Sequence, residues 1–386
     1  MSKHLDLSQF EYDNHLGRRL NAFVVIKGFN QLAIVAKIIR RKGNKSYGLT
    51  SVDKVSQRRY SDGHIAFTSL DTDEFGEDTL ELALDSTEPF EIDLHEGQLA
   101  YTAGPGFVLH DLDEKVSEAF EHPWMSYLHT IEFSADGERI LTASTGLDTI
   151  LEIELATGKV IWQWNAWDHG FNYVKANKSY VSRDPQQAAA LQAEHPEAKV
   201  KLVADPLNLP REGLATNRTP MNLNGVHYGR DGAIIATGFH RSEAFEIQRD
   251  GRFVQHELGL LHPHSLRRLG DGYQVASTGQ GRLLLLDADF QPHNVVDLSQ
   301  LPADADKRTG FGEWLQTVSL LDEERMLFAA VDALRDGVHI LDVKRQRRRF
   351  ISNPPEWTIQ AVIDAPIEED EFPAEREEAG ESQPTC

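Results

Sequence analysis

"LHTIEFSADGERILTAST" (residues 128–145) reads as two short strands flanking an Asp136-Gly137 turn, with His129 at the head of the first strand. Asp-Gly between runs of alternating apolar residues is a strong hairpin signal. The stretch is one copy of a repeat. Asp231-Gly232 and Asp271-Gly272 likewise precede strands, "AIIATGF" (233–239) and "YQVASTG" (273–279). Each copy continues into a third strand: "TILEIEL" (149–155), "EAFEIQ" (243–248) or "RLLLLDAD" (282–289). A second turn then leads to an outer strand: "VIWQW" (160–164), "FVQHEL" (253–258) or "HNVVDL" (293–298). A fourth copy runs through "LQTVSLLDEERMLFAAVD" (315–332) and "GVHILDVKRQRRRFIS" (337–352), and a weaker fifth through "PFEIDLHEGQLAYTAG" (89–104) and "FVLHDLDEKVSEAF" (107–120).

Four antiparallel strands in a unit of about 40 residues is the signature of a β-propeller blade. The fold expected is therefore all-β, a six- or seven-bladed propeller. Two β-sandwiches would explain the strand density but not the repeated order of strands and turns. Residues 1–19 form an N-terminal segment and 20–366 the propeller, with "EWTIQAVI" (356–363) placed to close the ring against an N-terminal blade. Asp136 and Asp231 lie 95 residues apart, one repeat plus an insertion of about 55, set at about 168–222. Within it "DPQQAAALQAEHPEAKV" (184–200) reads as a helix with Asp184 as N-cap and Pro185 in its first turn. Long insertions in compact folds are commonly lids or binding loops.

The 386-residue chain carries a net charge of −22, which disfavours nucleic acid or an anionic membrane as a partner. The tail 367–386 is dense in acids and poor in apolar residues, and is expected to be disordered. The one cysteine, Cys386, excludes an intramolecular disulfide and a Cys-based zinc site. Without a signal-like start or an apolar run long enough to span a bilayer, the expected location is the cytoplasm. No Gly-rich phosphate motif sits between a strand and a helix, so neither a nucleotide nor a flavin is expected. The basic runs "KIIRRKGNK" (37–45) and "KRQRRRF" (344–350) read as charged turns.

Aligning the copies on their first turns puts His129, Asn224, His264 and Gln316 at one position. In a propeller the first strand of each blade is innermost, so these side chains converge on one mouth of the central channel. The second strand returns to the same mouth, where its ends carry Thr145, His240, Gln280 and Asp332, with Arg241 after His240. His262 and His227 lie close by in sequence, although His227 aligns with Glu132 and so could face a neighbouring blade. Beyond the "WQW" strand, Trp167 and His169 are candidates for a substrate wall. Polar side chains that line a wet channel need no function of their own. Their joint occurrence at equivalent positions is what makes His129 and His264 the leading candidates.

"YLHTIEFSADGERILTASTGLDTILEIELATGKVIWQW" (127–164), with the two blades that follow the insertion, resembles the arylsulfotransferase-like β-propellers and, more loosely, the quinoprotein-type ones. The likeness covers about residues 120–345. It implies transfer of a sulfuryl group through a channel histidine, with His129, His264, His240 and Arg241 as the candidate catalytic residues.

Three readings follow from the residues. In the first, His129, His264 and either His227 or His240 hold a divalent or transition metal (Zn, Cu, Fe or Ni), leaving a position open to a small-molecule substrate. Asn224, Gln316, Gln280, Asp332 and Thr145 would then contact the substrate or orient the ligands. In the second, a neutral imidazole attacks a sulfuryl or phosphoryl centre of an aryl or anionic substrate. In the third, the propeller binds a small molecule or a protein without catalysis, because the fold alone does not choose.

Overall fold

The computed structural model describes residues 2–29, 62–175, 177–204, 219–303 and 312–366. The run at 37–45 and the tail lie outside them. Near the N-terminus are β1 (Lys3–Asp6) and β2 (Glu11–Tyr12). Blade 1 contains β3 (Asn21–Phe29), β4 (Asp62–Ser69) and β5 (Leu80–Thr87). Blade 2 is β6 (Ile92–His95), β7 (Gln98–Ala103), β8 (Gly106–Asp111) and β9 (Val116–Phe120). Blade 3 is β10 (Leu128–Phe133), β11 (Arg139–Ser144), β12 (Thr149–Glu154) and β13 (Lys159–Asn165). The insertion adds β14 (Tyr173–Val174), β15 (Ser179–Ser182), α1 (Pro185–Glu194) and β16 (Lys199–Leu202).

Blade 4 follows as β17 (Leu223–Tyr228), β18 (Ile234–Gly238), β19 (Glu243–Ile247) and β20 (Phe253–His256). Blade 5 is β21 (Pro263–Leu269), β22 (Gly272–Ser277), β23 (Arg282–Leu286) and β24 (Pro292–Asp297). Blade 6 is β25 (Leu315–Asp322), β26 (Leu327–Asp332), β27 (Gly337–Asp342) and β28 (Arg347–Ser352). The last strand, β29 (Trp357–Asp364), pairs antiparallel with β3 and becomes the innermost strand of blade 1. The described residues thus form six blades, and "EWTIQAVI" closes the ring.

The six inner strands pack in sequence, β29 to β6, β10, β17, β21, β25 and back to β29. Six apolar clusters hold the wheel together, one at each blade interface. The middle strands are buried along nearly their whole length because a blade packs both of its faces against its neighbours. The N-terminal segment straps two blades: β1 adds parallel to β24 and β2 parallel to β28, while Leu5, Leu7 and Phe10 enter the cluster between blades 5 and 6. Those two outer edges are thereby covered.

The basic run 344–350 is consumed within this region. Arg347 pairs with Asp13 at 3.1 Å, Arg348 lies over the Tyr12 ring, and buried Arg349 donates to the carbonyls of Leu16, Leu70 and Thr72. In the insertion, Asp184 caps α1 by accepting from the N–H groups of Gln186 and Gln187, with Pro185 in the first turn.

The turns that signalled the repeat are not identical. Gly137 takes the left-handed conformation (φ 70°) that the Asp136-Gly137 turn needs. In blade 5 that demand falls on Gly270 (φ 54°), one place before Asp271. Gly272 is already strand, where a Cβ would meet the Leu286 carbonyl oxygen at 2.1 Å.

Candidate functional site

The inner strands reach the mouth in a repeated backbone form. Tyr127, Asn222 and His262 each adopt a left-handed φ (49°, 53° and 53°), two residues before His129, Asn224 and His264. The strand then bulges, with register shifts between Leu128 and Ile131, Asn224 and His227, and His264 and Arg267. Bulges re-aim side chains, and here they bring the aligned positions together. The residue of blade 2 at the same position is Phe90, whose ring stacks on His129 with centroids 4.0 Å apart. Gln316 donates to Gln360 Oε1 on the closing strand at 3.1 Å. His264 lies close enough for its charge to oppose protonation of His129, as does Lys27.

Both imidazoles have a defined proton. His129 Nδ1 is 3.1 Å from the Tyr127 carbonyl oxygen, which can only accept, so Nδ1 carries the hydrogen. Thr278 Oγ1 gives its own hydrogen to the Leu315 carbonyl (2.7 Å), so it accepts from His264 Nδ1 at 2.8 Å. Nε2 of each ring therefore bears the lone pair. Burial, with Lys27 and His264 adding charge repulsion, drives the pKa of His129 down to about 3. Burial followed by His262 does the same for His264, also to about 3. Two neutral, unprotonated nitrogens at pH 7 result.

The wall beside His264 is aromatic. Phe239 stacks on His262 (4.5 Å), meets His264 and His240 edge-on (5.1 and 5.6 Å), and tilts against Trp314 (6.4 Å). His240 is exposed, with Nε2 3.5 Å from Asn222 Nδ2. On the opposite flank the Lys27 ammonium, only 5 % exposed, sits 3.3 Å from the centre of the Phe90 ring. Sequence reasoning missed Lys27 because it belongs to a second strand of the irregular first blade. Phe90 was missed for want of polarity, although its place three residues before Asp93 in the fifth copy matches His129 before Glu132.

Several expected site residues have other work. Thr145 is buried and its hydroxyl donates to the Leu223 carbonyl of the next blade, as Thr278 does to Leu315, so it latches blades together rather than meeting substrate. Asp332 is buried and accepts from Arg335 Nη1 (2.7 Å), His339 Nε2 (3.2 Å) and two backbone N–H groups. Burial works to raise its pKa, but His339 and Arg335 outweigh it and hold the carboxylate below the usual range. Gln280 accepts from Ser277 within its own turn.

Trp167 is fully buried in the cluster between blades 3 and 4 and forms no substrate wall. His169 stacks on Trp164 at 4.8 Å and lies against Gly251 and Phe253 of the outer hairpin of blade 4, away from the axis. Arg241 faces outward, 46 % exposed, near Glu243 (3.5 Å) and above Phe171. The set His129, His264 and His227 does not assemble: His227 is 1 % exposed, with Nδ1 3.4 Å from Glu132 Oε2. No group of three His, Cys, Asp or Glu side chains among the described residues is arranged to hold a metal ion.

No protein-family model matches the chain, and no curated protein matches it significantly. Among solved structures, it is similar to a protein of unknown function from Bacteroides caccae (11 % identity, 90 % of this chain and 99 % of that chain, TM-score 0.51). It is also similar to a nidogen/laminin complex (10 % identity, 89 % and 98 %, TM-score 0.50). A virginiamycin B lyase from Staphylococcus aureus aligns more weakly (11 % identity, 66 % and 67 %, TM-score 0.41). At these identities the likeness to the first two establishes the fold alone, and the chain is an all-β propeller; the chemistry has to be argued from its own residues.

Proposed function

We propose that this protein is a β-propeller enzyme acting on a small anionic molecule at the mouth of its channel, with His129 and His264 as nucleophile and base. The observation that supports this reading is the pair of neighbouring neutral imidazoles whose Nδ1–H groups are tied down, which leaves the lone pair of each ring on Nε2. A nucleophile must be unprotonated at working pH, and a general base must be oriented. One imidazole Nε2 forms a bond to the sulfur or phosphorus of an ester while the ester S–O or P–O bond breaks, its electron pair leaving on the alcohol or phenol oxygen. Lys27, rather than Arg241, is the cation near His129, and would offset charge on the transferred oxygens. The aromatic wall around Phe239 suits a ring-bearing leaving group.

Bare imidazole nitrogens are also good metal donors. Among the described residues neither His227, turned to Glu132, nor His240 joins His129 and His264 in a group arranged to hold a metal ion, so the residues do not fit a three-ligand centre and no step is routed through a metal. The cytoplasmic location remains part of this proposal; among the described residues, no helix is long and apolar enough to cross a membrane.

The test is incubation of tag-free protein with sulfur- or phosphorus-labelled aryl esters beside His129→Ala and His264→Ala, with metal content measured on the same samples. Label carried on a histidine peptide and lost in one or both variants supports the reading. Folded protein that neither turns over nor retains any labelled ester refutes it. A stoichiometric metal lost in both variants would replace it with the metal reading.

A further inference from the structure

Three residues beyond each mouth position stands a second tier: Asp93, Glu132, His227, Arg267 and Ser319. Four of the five are ionisable, and they meet around the axis. Arg267 Nη2 of blade 5 reaches Glu91 Oε1, just before β6 of blade 2, at 2.9 Å. Those blades stand opposite each other in the ring of six, so the pair spans the channel. Asp93 Oδ2 accepts from the Phe133 N–H at 2.8 Å and is close enough to feel the charges of Glu132 and Arg267. Glu132 in turn lies beside His227.

Two observations show that this tier is not a dry plug. Glu132 and Arg267 keep 27 % and 20 % of their side-chain surface accessible although both sit at the centre of the wheel, so the shaft has room for water. Around it, buried polar atoms lack protein hydrogen-bond partners: both ring nitrogens of His227, Nδ2 of Asn224, Oε1 of Gln274 and Nε of Arg267. His227, Asn224 and Gln274 are each 1 % exposed. An unmet buried group costs about 1–3 kcal/mol. The set contains donors and acceptors together, which is the requirement water meets when it bridges buried groups.

We propose that the shaft between the two tiers is a water-binding site that passes protons between the Asp93–Glu132 carboxyl pair and the imidazoles of the mouth. A proton taken up at an imidazole Nε2 passes to the adjacent water, each water hands one on, and the last reaches the Asp93 carboxylate; no electrons are exchanged. Burial first, and Glu132 second, lift Asp93 to about 7, so the carboxyl holds a proton it can release near neutral pH. Arg267 and the N–H groups of Phe133 and Leu94 oppose that rise. At the upper end Lys27 and His264 face His129, and His262 faces His264. The proposal concerns proton movement alone and does not require that the mouth turn over any ester.

Two measurements decide it. A high-resolution crystal structure should place ordered waters about 3 Å from Asn224 Nδ2, His227 Nε2 and Gln274 Oε1. Infrared difference spectra at pH 5 should show a protonated carboxyl band, assigned by its loss in Asp93→Asn, that shifts immediately on transfer to deuterium oxide. His227→Leu, which puts an apolar group beside the shaft, should lose the immediate shift, while His227→Gln keeps it. Asn224→Leu serves the same purpose should His227→Leu fail to fold. A shaft without ordered water, or a carboxyl band that exchanges as slowly in the wild type as in the leucine variants, overturns the proposal.

Discussion

Replacing Arg267 with methionine keeps the length of the side chain and removes a cation that faces Glu91, Asp93 and Glu132 on the axis. Burial alone would lower the pKa of Arg267, but the three carboxylates outweigh it and raise it. Removing one partner of a buried pair typically costs about 3–5 kcal/mol, because the other charge is left uncompensated. That is a change of about two to almost four powers of ten in the unfolding equilibrium, at about 1.4 kcal/mol per power of ten. Urea unfolding followed by tryptophan fluorescence, for Arg267→Met, Glu91→Gln and the double variant, reads it directly. The double variant should cost less than the sum of the singles, since neither charge is then stranded. The penalty should also shrink at pH 5, where Asp93, freed of Arg267, takes up a proton more readily still. A cost below about 1 kcal/mol that is equal at pH 5 and pH 8 would match the behaviour of a screened surface pair and refute the account of the axis.

Thr278→Val removes both the acceptor for His264 Nδ1 and the donor to Leu315, with an expected loss of about 1–3 kcal/mol and a mixed His264 tautomer in nitrogen-15 spectra. Burial lifts Asp148 to about 7, partly opposed by the N–H groups of Met221 and Leu223, so its contribution to stability is full below its unfolded pKa and is lost as pH rises from about 4 to 7. His129 and His264, depressed to about 3, act in the opposite sense: their contribution is full above about 6.5 and is lost as pH falls toward 3. Relative to the wild type, Asp148→Asn should therefore gain stability by about 1.4 kcal/mol per pH unit as pH rises from about 4 to 6.5; a variant whose pH profile parallels that of the wild type counts against this shift. Deleting residues 2–12 bares the edges of β24 and β28 and the pockets of Leu5, Leu7 and Phe10, and light scattering should find concentration-dependent self-association.

The fold was legible because a propeller writes the same hairpin several times. Asp-Gly turns, strand lengths and the closing "EWTIQAVI" mark five blades and the seam in the sequence itself. Blade 1 was harder to count because its strands come from both ends of the chain: β29 supplies the inner strand and β3 to β5 the rest. The strap was invisible for a related reason. Its pairing is parallel and its partners lie hundreds of residues away, so neither a turn nor a local period announces it.

Alignment on the turns brought His129 and His264 to the same place because a repeat position fixes where a side chain starts. It misjudged Thr145, Asp332, Arg241 and Trp167 because hydrogen-bond partners fix where a side chain ends. Thr145 and Thr278 occupy the same place in their turns, and both hydroxyls reach a carbonyl of the next blade; only the second also holds a histidine. The lower tier follows from the same bulged geometry, which returns a side chain to the axis three residues after each mouth position. His227 therefore had a signal in the sequence, its alignment with Glu132. That signal said only that His227 could face a neighbouring blade; in the fold the imidazole that looked like a third metal ligand lies beside the Glu132 carboxylate.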